Sequence, residues 1–524
     1  MTPFQAFRRW FRRATVAQKV SSVAAAALTL SALMWAVFPA APQSTLGVGL
    51  GTTAPVGGSV ASASGATASA TSTTTATTGT AATVPGAAAP SATAAGGSAP
   101  SSAGVTANKS STATTSAPSC VSPPGSAPGV TATQINIAVL LVNIAGAAAN
   151  STFGIPPPAT QQAGFQAVIN NINATGGVAC RKLVPQYYTE DPIDQTGLQQ
   201  ACLTISQSNV FAVVDPGAYA NYAAGIDCYA QNHLPYFEGY QLDGSQIQHD
   251  YPFLFSVGNL TVTYEDSVFA LQKLGFFSAS DGFQKLGLIY RDCFPDLVSD
   301  ELAWLNQAGV PSSDISSYDM GCPSAFASPS DLENAIIQFK EAGVTNMTEV
   351  DELGDMANFT TIAQSQGFSP KWGLADDGLF EINGGSQAPN PQELNGAIGI
   401  AASRDGENNT ASLSSNPTAG TQKCNAILQT ASLSVYGAAA VGNACDQLWM
   451  LQEAVDNAPE LSQEALAAGL QKAGSIDFSF PQGPSNFTAT GTTYGGEYWR
   501  EDQYTTAGGC DCWQVVNPNW TPSY

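Results

Sequence analysis

The regular alternation of short apolar runs with amphipathic helical segments after residue 134 is the feature that most constrains the fold of this chain. Ile135–Val142 reads INIAVLLV, an unbroken apolar run that is typical of strands covered on both faces. The next segment places its apolar side chains at i, i+3, i+4 and i+7, which is one face of a helix: Phe165, Val168, Ile169 and Ile172. Gly176 and Gly177 then end that helix. Strands and helices that alternate in this way predict a parallel sheet with helices on both faces.

The same pattern continues along the chain and occurs twice. Further strands are predicted over residues 183–188, 210–214, 234–237, 285–290, 344–350 and 370–374, and further helices over 196–208, 220–232, 330–341 and 354–366. Ser330-Asp331-Leu332-Glu333 forms a capping box for the third of these helices, and Gly343 closes it. We therefore predict an α/β fold of two doubly wound parallel-sheet lobes joined by a hinge. Ligands of such sheets bind beyond the carboxyl ends of the strands, so a cleft between the lobes is the expected site.

The first 119 residues differ in character from the rest. Residues 1–19 form a basic segment expected in the cytoplasm, and residues 20–41 form a transmembrane anchor or signal segment. The uncharged run 20–38 spans roughly 28 Å as a helix, enough to cross a bilayer core. An uncleaved anchor and a cleaved signal both fit, and Arg8-Arg9 suits a twin-arginine export signal as well as ordinary positive-inside charge. Residues 42–119, rich in Ala, Thr, Ser, Gly and Pro, are predicted to be a disordered linker.

Residues 120–524 have the composition of a globular domain that works outside the cytoplasm. They contain all 40 acidic residues and 11 of the 17 basic ones, a formal net charge of −29. Such acidity argues against nucleic acid or anionic lipid as a partner, and it also serves simple solubility. Contact with the membrane is expected only through the N-terminal helix. The domain is expected on the outer face of the cell membrane, on a single-pass anchor, or secreted if the segment is cleaved.

The ten cysteines all lie in this domain, and an even number in a translocated chain predicts five disulfides. Zinc would need clustered ligands, and the chain has only two histidines, so no metal is expected. Spacing favours three pairs, Cys202 with Cys228, Cys293 with Cys322, and Cys424 with Cys445. Cys120, Cys180, Cys510 and Cys512 stay unassigned.

Motifs for catalysis are absent from the sequence. There is no Gly-x-Ser-x-Gly elbow, no His-Glu-x-x-His, no phosphate loop and no dinucleotide fingerprint. Paired acids that hydrolyse glycosides occur by chance in any acidic chain. The sequence therefore predicts a binding protein without a cofactor rather than an enzyme.

Several ordered motifs carry a resemblance to a known family. Gly129-Val130-Thr131 leads into the first strand, and 166–183 (QAVINNINATGGVACRKL) combines a helix, a Gly-Gly turn and a strand entry. Further segments follow in order: YTEDPID (188–194), VFAVVDP (210–216), His233-Leu234-Pro235, KLGLIYRDC (285–293) and Val344–Gly373. Together they resemble type I periplasmic solute-binding proteins of the branched-chain amino-acid transporter class, over about 400 residues.

The resemblance implies two lobes joined by three crossovers, which close on a small ligand. By spacing, lobe 1 holds about 128–259 and 388–490, and lobe 2 about 260–387 and 491–524. The ligand-binding residues that it implies lie in the loops after the strands: Asp215, Gly217, Tyr219, Glu238, Tyr240, Gln241, Asp292, Phe294, Glu352 and Asp376. Asp376 stands near the acid that holds an ammonium group in amino-acid binders.

The loops of lobe 1 depart from that family's pattern. Glu238 and Tyr240 stand where small or hydroxyl residues are expected, and Asp215 adds an acid, so a carboxylate ligand is disfavoured there. A cation, a polyol or an amide suits them, and Tyr219, Tyr240 and Phe294 offer rings for stacking. Asp215 and Asp292 equally suit a role as helix caps, and Tyr240 a role in lobe packing.

The function expected from the resemblance is capture of a small polar ligand, an amino acid or a related amine or amide, for an ABC permease. A membrane-tethered ligand sensor or surface-interaction protein on the same fold, with a membrane sensor as partner, is the alternative.

Overall fold

The computed structural model describes residues 122–144, 146, 150–151, 155–218, 222–293, 295–321, 327–350, 356–376, 390–404, 418–434, 439–488, 491–509 and 511–524. The predicted basic segment, apolar segment and linker lie outside these residues and stay predictions. Among the helices in the described ranges, none has the length and apolar character needed to cross a membrane.

The first sheet has five parallel strands in the order β2-β1-β3-β4-β5. Its strands are β1 (Gln134–Val142), β2 (Lys182–Glu190), β3 (Ala212–Asp215), β4 (Tyr236–Leu242) and β5 (Leu254–Asn259). In β1 the residues from Ile137 to Leu140 are fully buried, as an apolar run covered on both faces requires. The strand predicted from INIAVLLV is therefore confirmed.

Helices cover both faces of this sheet. They are α1 (Pro158–Ala174), α2 (Gln195–Ser206), α3 (Ala223–Gln231) and α4 (Gly244–His249). On one face α1 packs Phe165 and Val168 against Ile137, and on the other α2 and α3 pack Ile205 and Ile226 against Leu140. The doubly wound arrangement predicted for this lobe is thus confirmed.

The second sheet is mixed rather than purely parallel. Its strands are β6 (Leu286–Tyr290), β7 (Ile315–Asp319), β8 (Asn346–Val350), β9 (Lys371–Ala375), β10 (Ile398–Ala401), β13 (Tyr498–Thr505), β14 (Cys512–Val515) and β15 (Thr521–Pro522). The order is β14-β13-β10-β9-β8-β6-β7, with β15 paired to β13, while β11 (Ser475–Ile476) and β12 (Ser485–Asn486) form a separate ribbon. Strand β13 runs antiparallel to its neighbours β10 and β14, which alternation earlier in the chain does not predict.

The remaining helices divide between the two lobes. They are α5 (Leu260–Lys273), α6 (Pro295–Gln307), α7 (Pro329–Ala342), α8 (Met356–Ser365), α9 (Pro391–Leu394), α10 (Ala419–Gln429), α11 (Ala439–Asn457) and α12 (Leu466–Ala473). Helices α10 to α12 return to the first sheet, where Leu428, Leu448 and Leu466 share a core with α1.

Two local predictions need correction. The N-cap of α7 lies two residues earlier than predicted, because Ser328 rather than Ser330 accepts the Asp331 N–H, while Gly343 ends the helix at a positive φ of 76° as expected. Strand β10, which spacing assigned to lobe 1, instead pairs with β9 and β13 in the second sheet. The chain adds this fifth parallel strand before it crosses, and spacing alone does not distinguish the last strand of one lobe from the first strand of the other.

The three crossovers lie side by side. The first is immediate, since β5 ends at Asn259 and α5 begins at Leu260, with the Asn259 side chain capping the helix. The second leaves β10 and pairs with the start of the third, through Arg404 N–H to the Phe480 carbonyl at 2.9 Å. The third then pairs with β5, through Ser256 N–H to the Thr493 carbonyl at 3.0 Å. Hydrogen bonds therefore join all three segments into one hinge.

Two of the predicted disulfides are confirmed. Cys202 pairs with Cys228 and links α2 to α3, and Cys424 pairs with Cys445 and links α10 to α11. Cys180, Cys293 and Cys512 are also disulfide-bonded. The pairing of Cys293 with Cys322 stays a prediction, because Cys322, like Cys120 and Cys510, lies outside the described residues.

Candidate functional site

Three acidic side chains lie at the carboxyl edge of the first sheet. Glu190 ends β2, Asp215 ends β3, and Glu238 lies in β4 directly opposite Asp215 in the strand register. Asp215 and Glu238 are completely buried, whereas Glu190 is partly exposed. Because parallel strands end at the same edge, the fold brings to one place three acids that are far apart in the sequence.

Asp215 organises the loop that follows its strand. Its carboxylate accepts the N–H groups of Gly217 at 3.1 Å and Ala218 at 2.8 Å, together with the hydroxyl of Tyr236. The side-chain amide of Gln447 in α11 donates to the backbone carbonyl of Asp215. Of the two roles considered for Asp215, the structure thus places its carboxylate on backbone N–H groups, although α3 begins several residues later.

Glu238 to Gln241, which were expected in the loop after the strand, lie within β4, because that strand continues to Leu242. Glu238 organises this part of β4, where the register with β5 shifts between Glu238 and Gln241. Its carboxylate accepts the N–H groups of Gly239 at 2.7 Å and Tyr240 at 3.0 Å, and the Tyr236 hydroxyl lies 3.3 Å from the other oxygen. Burial, and then the charge of Asp215, raise the pKa of Glu238 well above its ordinary value. Burial and both carboxylates raise the pKa of Tyr236 as well, so its hydroxyl stays protonated and donates.

Glu190 is the member of this acidic edge that solvent reaches. Burial raises its pKa from 4.5 to about 7, with further contributions from the charges of Asp215 and Asp194. A carboxylate whose ionisation is opposed by its neighbours gains most from an incoming cation. The sequence analysis did not select Glu190, although it lies in the YTEDPID segment at the end of a predicted strand.

Close packing joins the loop after β3 to strand β4. Gly217 has a φ of +113°, and the ring of Tyr240 occupies the space that a side chain at Gly217 would need, 2.4 Å from an ideal Cβ position. A Cβ on Gly239 would likewise meet the Gln447 amide. Gly217 and Tyr240 thus pack against each other within lobe 1, and contact of either residue with a ligand stays a prediction.

Gln241 connects the two lobes. Its amide nitrogen donates to the backbone carbonyl of Asp376 at 2.7 Å, and its amide oxygen accepts the hydroxyl of Thr263 in α5. Asp376 is fully buried just after β9, and its carboxylate accepts the N–H of Ser403 in the second crossover. The carboxylate of Asp376 therefore braces the hinge, and its contact with a ligand stays a prediction.

Of the four remaining predicted site residues, Asp292 lies within the described part of the chain. Asp292 is exposed just after β6, where it and Asp319 add to the effect of burial in raising the pKa of Tyr290. Tyr219, Phe294 and Glu352 lie outside the described residues, so their roles stay predictions. Tyr236 links Asp215 to Glu238 but was not predicted as a site residue. In the sequence it lies in an apolar strand, and only the strand register shows that its hydroxyl reaches the two acids.

The site as a whole combines a negative edge on one lobe with a direct contact to the other. The carboxylates of Asp215 and Glu238 accept backbone N–H groups and the Tyr236 hydroxyl, and so shape the loop after β3 and the middle of β4. Glu190, at the same edge, is reached by solvent and is therefore accessible to a dissolved ligand. The hydrogen bond from Gln241 to Asp376 requires the ends of β4 and β9 to be close, so it forms when the two lobes are near each other.

Comparison with known proteins gives one family and a set of structural relatives. A family model described as a periplasmic binding protein matches residues 157–499. No protein among the curated sequences matches. A solved structure of a possible leucine/isoleucine/valine-binding protein from Rhodopirellula baltica SH 1 aligns with a TM-score of 0.53 at 14% identity, covering 74% of this chain and 97% of that one.

Two further solved structures are similar in fold and carry ligands. The branched-chain amino acid transporter substrate-binding protein of Streptococcus pneumoniae str. Canada MDR_19A, in complex with isoleucine, has a TM-score of 0.52 at 13% identity over 73% of this chain and 99% of that one. An ABC-transporter solute-binding protein from R. palustris, in complex with 4-hydroxybenzoate, has a TM-score of 0.55 at 12% identity over 74% of this chain and 97% of that one. At these identities the similarity establishes the fold.

Proposed function

Because this chain belongs to the periplasmic binding protein family, we propose that it captures a small polar ligand between its lobes and delivers it to an ABC transporter. The family consists of binding proteins rather than enzymes, in agreement with the sequence analysis. The observation that carries the proposal is the hinge, in which three crossovers joined by hydrogen bonds connect two sheets whose strand ends meet through Gln241 and Asp376.

The acidic edge of lobe 1 supports an amine or amide as the group that binds there. Glu190, Asp215 and Glu238 together oppose a ligand carboxylate, because each added negative charge raises the cost of the others. The relatives from S. pneumoniae and R. palustris were solved with isoleucine and 4-hydroxybenzoate, which both bear a carboxylate. We propose that this chain instead turns a cationic or amide group of its ligand toward Glu190.

Lobe closure provides the mechanism. A ligand that contacts both lobes favours the closed arrangement by the free energy of those additional contacts. Gln241 stabilises the same arrangement from inside the hinge region, since it bonds across the lobes. A permease then distinguishes loaded from unloaded protein by the surface that closure forms.

The N-terminal residues suit a tether. We propose that segment 20–41 anchors the chain in the cell membrane and that linker 42–119 holds the binding domain outside the cytoplasm. A flexible linker of this composition has a root-mean-square reach of roughly 50 Å, which allows the domain to meet a permease in the same membrane.

Thermal unfolding against a ligand panel tests the proposal. The panel contains amino acids, polyamines, betaines, amides, sugars and aromatic acids. A ligand at about 100 times its Kd stabilises by about 2.7 kcal/mol, which gives a clear rise in Tm. We expect shifts with compounds that carry an amine or amide group.

A matched pair of variants locates the binding group. Glu190→Gln should weaken an amine hit, whereas Glu333→Gln, an exposed acid on α7 in the other lobe, should not. A rise in Tm that occurs only with carboxylate ligands lacking an amine would contradict the proposed ligand class. A folded protein that responds to nothing on the panel would contradict the transport role and favour the surface-interaction alternative.

A further inference from the structure

A second polar cluster lies on lobe 1 between helices α3 and α4. Asp227 projects from α3, His249 ends α4, and Asp250 follows directly. The nitrogen of His249 and one carboxylate oxygen from each acid all lie within 4.8 Å of one another. His249 is one of only two histidines in the chain, and nothing in the proposed ligand capture uses it.

Two buried side-chain oxygens at this cluster have no hydrogen-bond partner. Asp250 is 4% exposed and its Oδ2 has no hydrogen-bond partner; the same holds for Oε1 of Gln246, one turn earlier in α4, which is 7% exposed. The Asp250 carboxyl group also hydrogen-bonds the side chains of Asp227 and Gln246. Within the described part of the chain, no Lys or Arg nitrogen lies within 4.0 Å of Asp227 or Asp250. Buried acceptors without donors are costly, and a cation is the group that would satisfy them.

The two helices that carry the cluster are held in place independently of it. The Cys202–Cys228 disulfide fixes α3 next to Asp227. The amide nitrogen of Gln246 donates to the carbonyl of Ala223 at 3.1 Å, which ties α4 to the first residue of α3. Preorganised ligands lose little freedom when a metal binds, so the cluster is prepared for one.

We propose that Asp227, His249 and Asp250 bind a divalent transition-metal cation, with Oε1 of Gln246 as a further oxygen ligand. Zinc takes imidazole nitrogen and carboxylate oxygen at about 2.0–2.2 Å, so tetrahedral ligand atoms sit roughly 3.4 Å apart. The His249 ring is exposed, and rotation about its side-chain bonds would bring its nitrogen closer to the two carboxylates. Calcium and magnesium prefer oxygen alone, and the imidazole therefore selects for zinc-like ions.

The site has a structural consequence for lobe 1. Helix α3 follows the loop organised by Asp215, and α4 follows the strand that contains Glu238 and Gln241. A metal between α3 and α4 would clamp together the two elements that support the acidic edge. The inference does not depend on the identity of the ligand at that edge, nor on transport.

Calorimetric titration of the metal-stripped full chain with ZnCl₂ tests the proposal. We expect one equivalent of Zn²⁺ to bind, and both His249→Ala and Asp227→Asn to weaken it by at least about tenfold. His233→Ala is the matched control and should bind as tightly as wild type, since His233 is not a member of the cluster and its ring contacts Glu464 and Phe253. Asp300→Asn, an exposed acid on α6, controls for the loss of one negative charge.

A second measurement keeps the test independent of how the variants fold. In ¹³C-labelled histidine spectra of the wild type, Zn²⁺ should shift the ring signals of His249 and leave those of His233 unchanged. Equal affinity in wild type and His249→Ala would overturn the site and assign the binding to general attraction by an acidic surface. Absence of Zn²⁺ binding, or displacement of Zn²⁺ by an equal concentration of Ca²⁺, would also overturn it.

Discussion

The side-chain amide of Gln241 donates to the backbone carbonyl of Asp376 at 2.7 Å and so joins the end of β4 in one lobe to the end of β9 in the other. Gln241→Ala should weaken ligand affinity by about 2- to 10-fold, because a net hydrogen bond of about 0.5–1.5 kcal/mol no longer favours the closed arrangement. Calorimetric titration with a ligand from the thermal panel measures this change.

Gln463→Ala is the control for that experiment. Gln463 also donates from its side-chain amide to a backbone carbonyl, that of Phe211 at 3.0 Å, but both partners lie in lobe 1. The two variants should lose similar stability, and only Gln241→Ala should lose affinity. Equal affinity losses in both variants would show that the bond to Asp376 has no special role in closure.

Tyr236→Phe should destabilise the protein by about 1–3 kcal/mol, because two buried carboxylates lose a shared donor. Denaturant unfolding measures the difference. Tyr188→Phe removes a hydroxyl that bonds the half-buried Gln186 side chain and should cost much less. Similar losses in both variants would mean that the hydroxyl of Tyr236 does little to hold Asp215 and Glu238.

Stability should fall as pH rises from about 4 to about 8. Burial raises the pKa of Glu190 and of Asp446 to about 7 and that of Asp266 to about 6, above their values in an unfolded chain. In this interval the folded state holds more protons than the unfolded state, so the stabilisation is complete below about pH 4 and is lost as pH passes 7. Thermal unfolding across this range should show Tm decreasing, and Glu190→Gln should flatten the decrease. A Tm that rises steadily toward pH 8 would contradict these shifts.

Each described disulfide should contribute about 3–4 kcal/mol by restricting the unfolded chain, since the two loops are of similar length. The sequence separations are 26 residues for Cys202–Cys228 and 21 for Cys424–Cys445. The pairs lie in cores on opposite faces of the first sheet, so the losses from Cys202→Ser with Cys228→Ser and from Cys424→Ser with Cys445→Ser should add. Denaturant unfolding of both double variants and their combination checks this, and strong non-additivity would indicate that the faces are coupled.

The sequence predicts the fold of the parallel part well for a simple physical reason. A strand buried on both faces must be apolar throughout, and a helix that covers it must be apolar on one face, so both leave local patterns such as Ile135–Val142. The antiparallel strands β13 and β14 lie at the edge of the second sheet and carry mixed side chains, so they leave no such pattern. The position of β10 depends on which lobe the chain enters next, and local sequence does not record it.

The candidate site was harder to predict, because its roles depend on register. Asp215 and Glu238 were selected by their position after strands, but only the pairing of β3 with β4 shows that they face each other and share Tyr236. Asp376 resembles a ligand residue in sequence, whereas the second crossover brings the N–H of Ser403 to its carboxylate. Glu190 was not selected, because the sequence does not show that it is buried near Asp215, and both effects raise its pKa.

The three hydrogen-bonded crossovers also determine how this protein responds to a cut. Each lobe is assembled from separated stretches of chain, and the crossover segments are hydrogen-bonded to one another near Ser256, Arg404 and Thr493. A protease that cleaves one crossover leaves two covalent links and most of those bonds in place. A nicked protein should therefore travel as a single particle until it is denatured, and neither lobe is available as a continuous fragment for expression by itself.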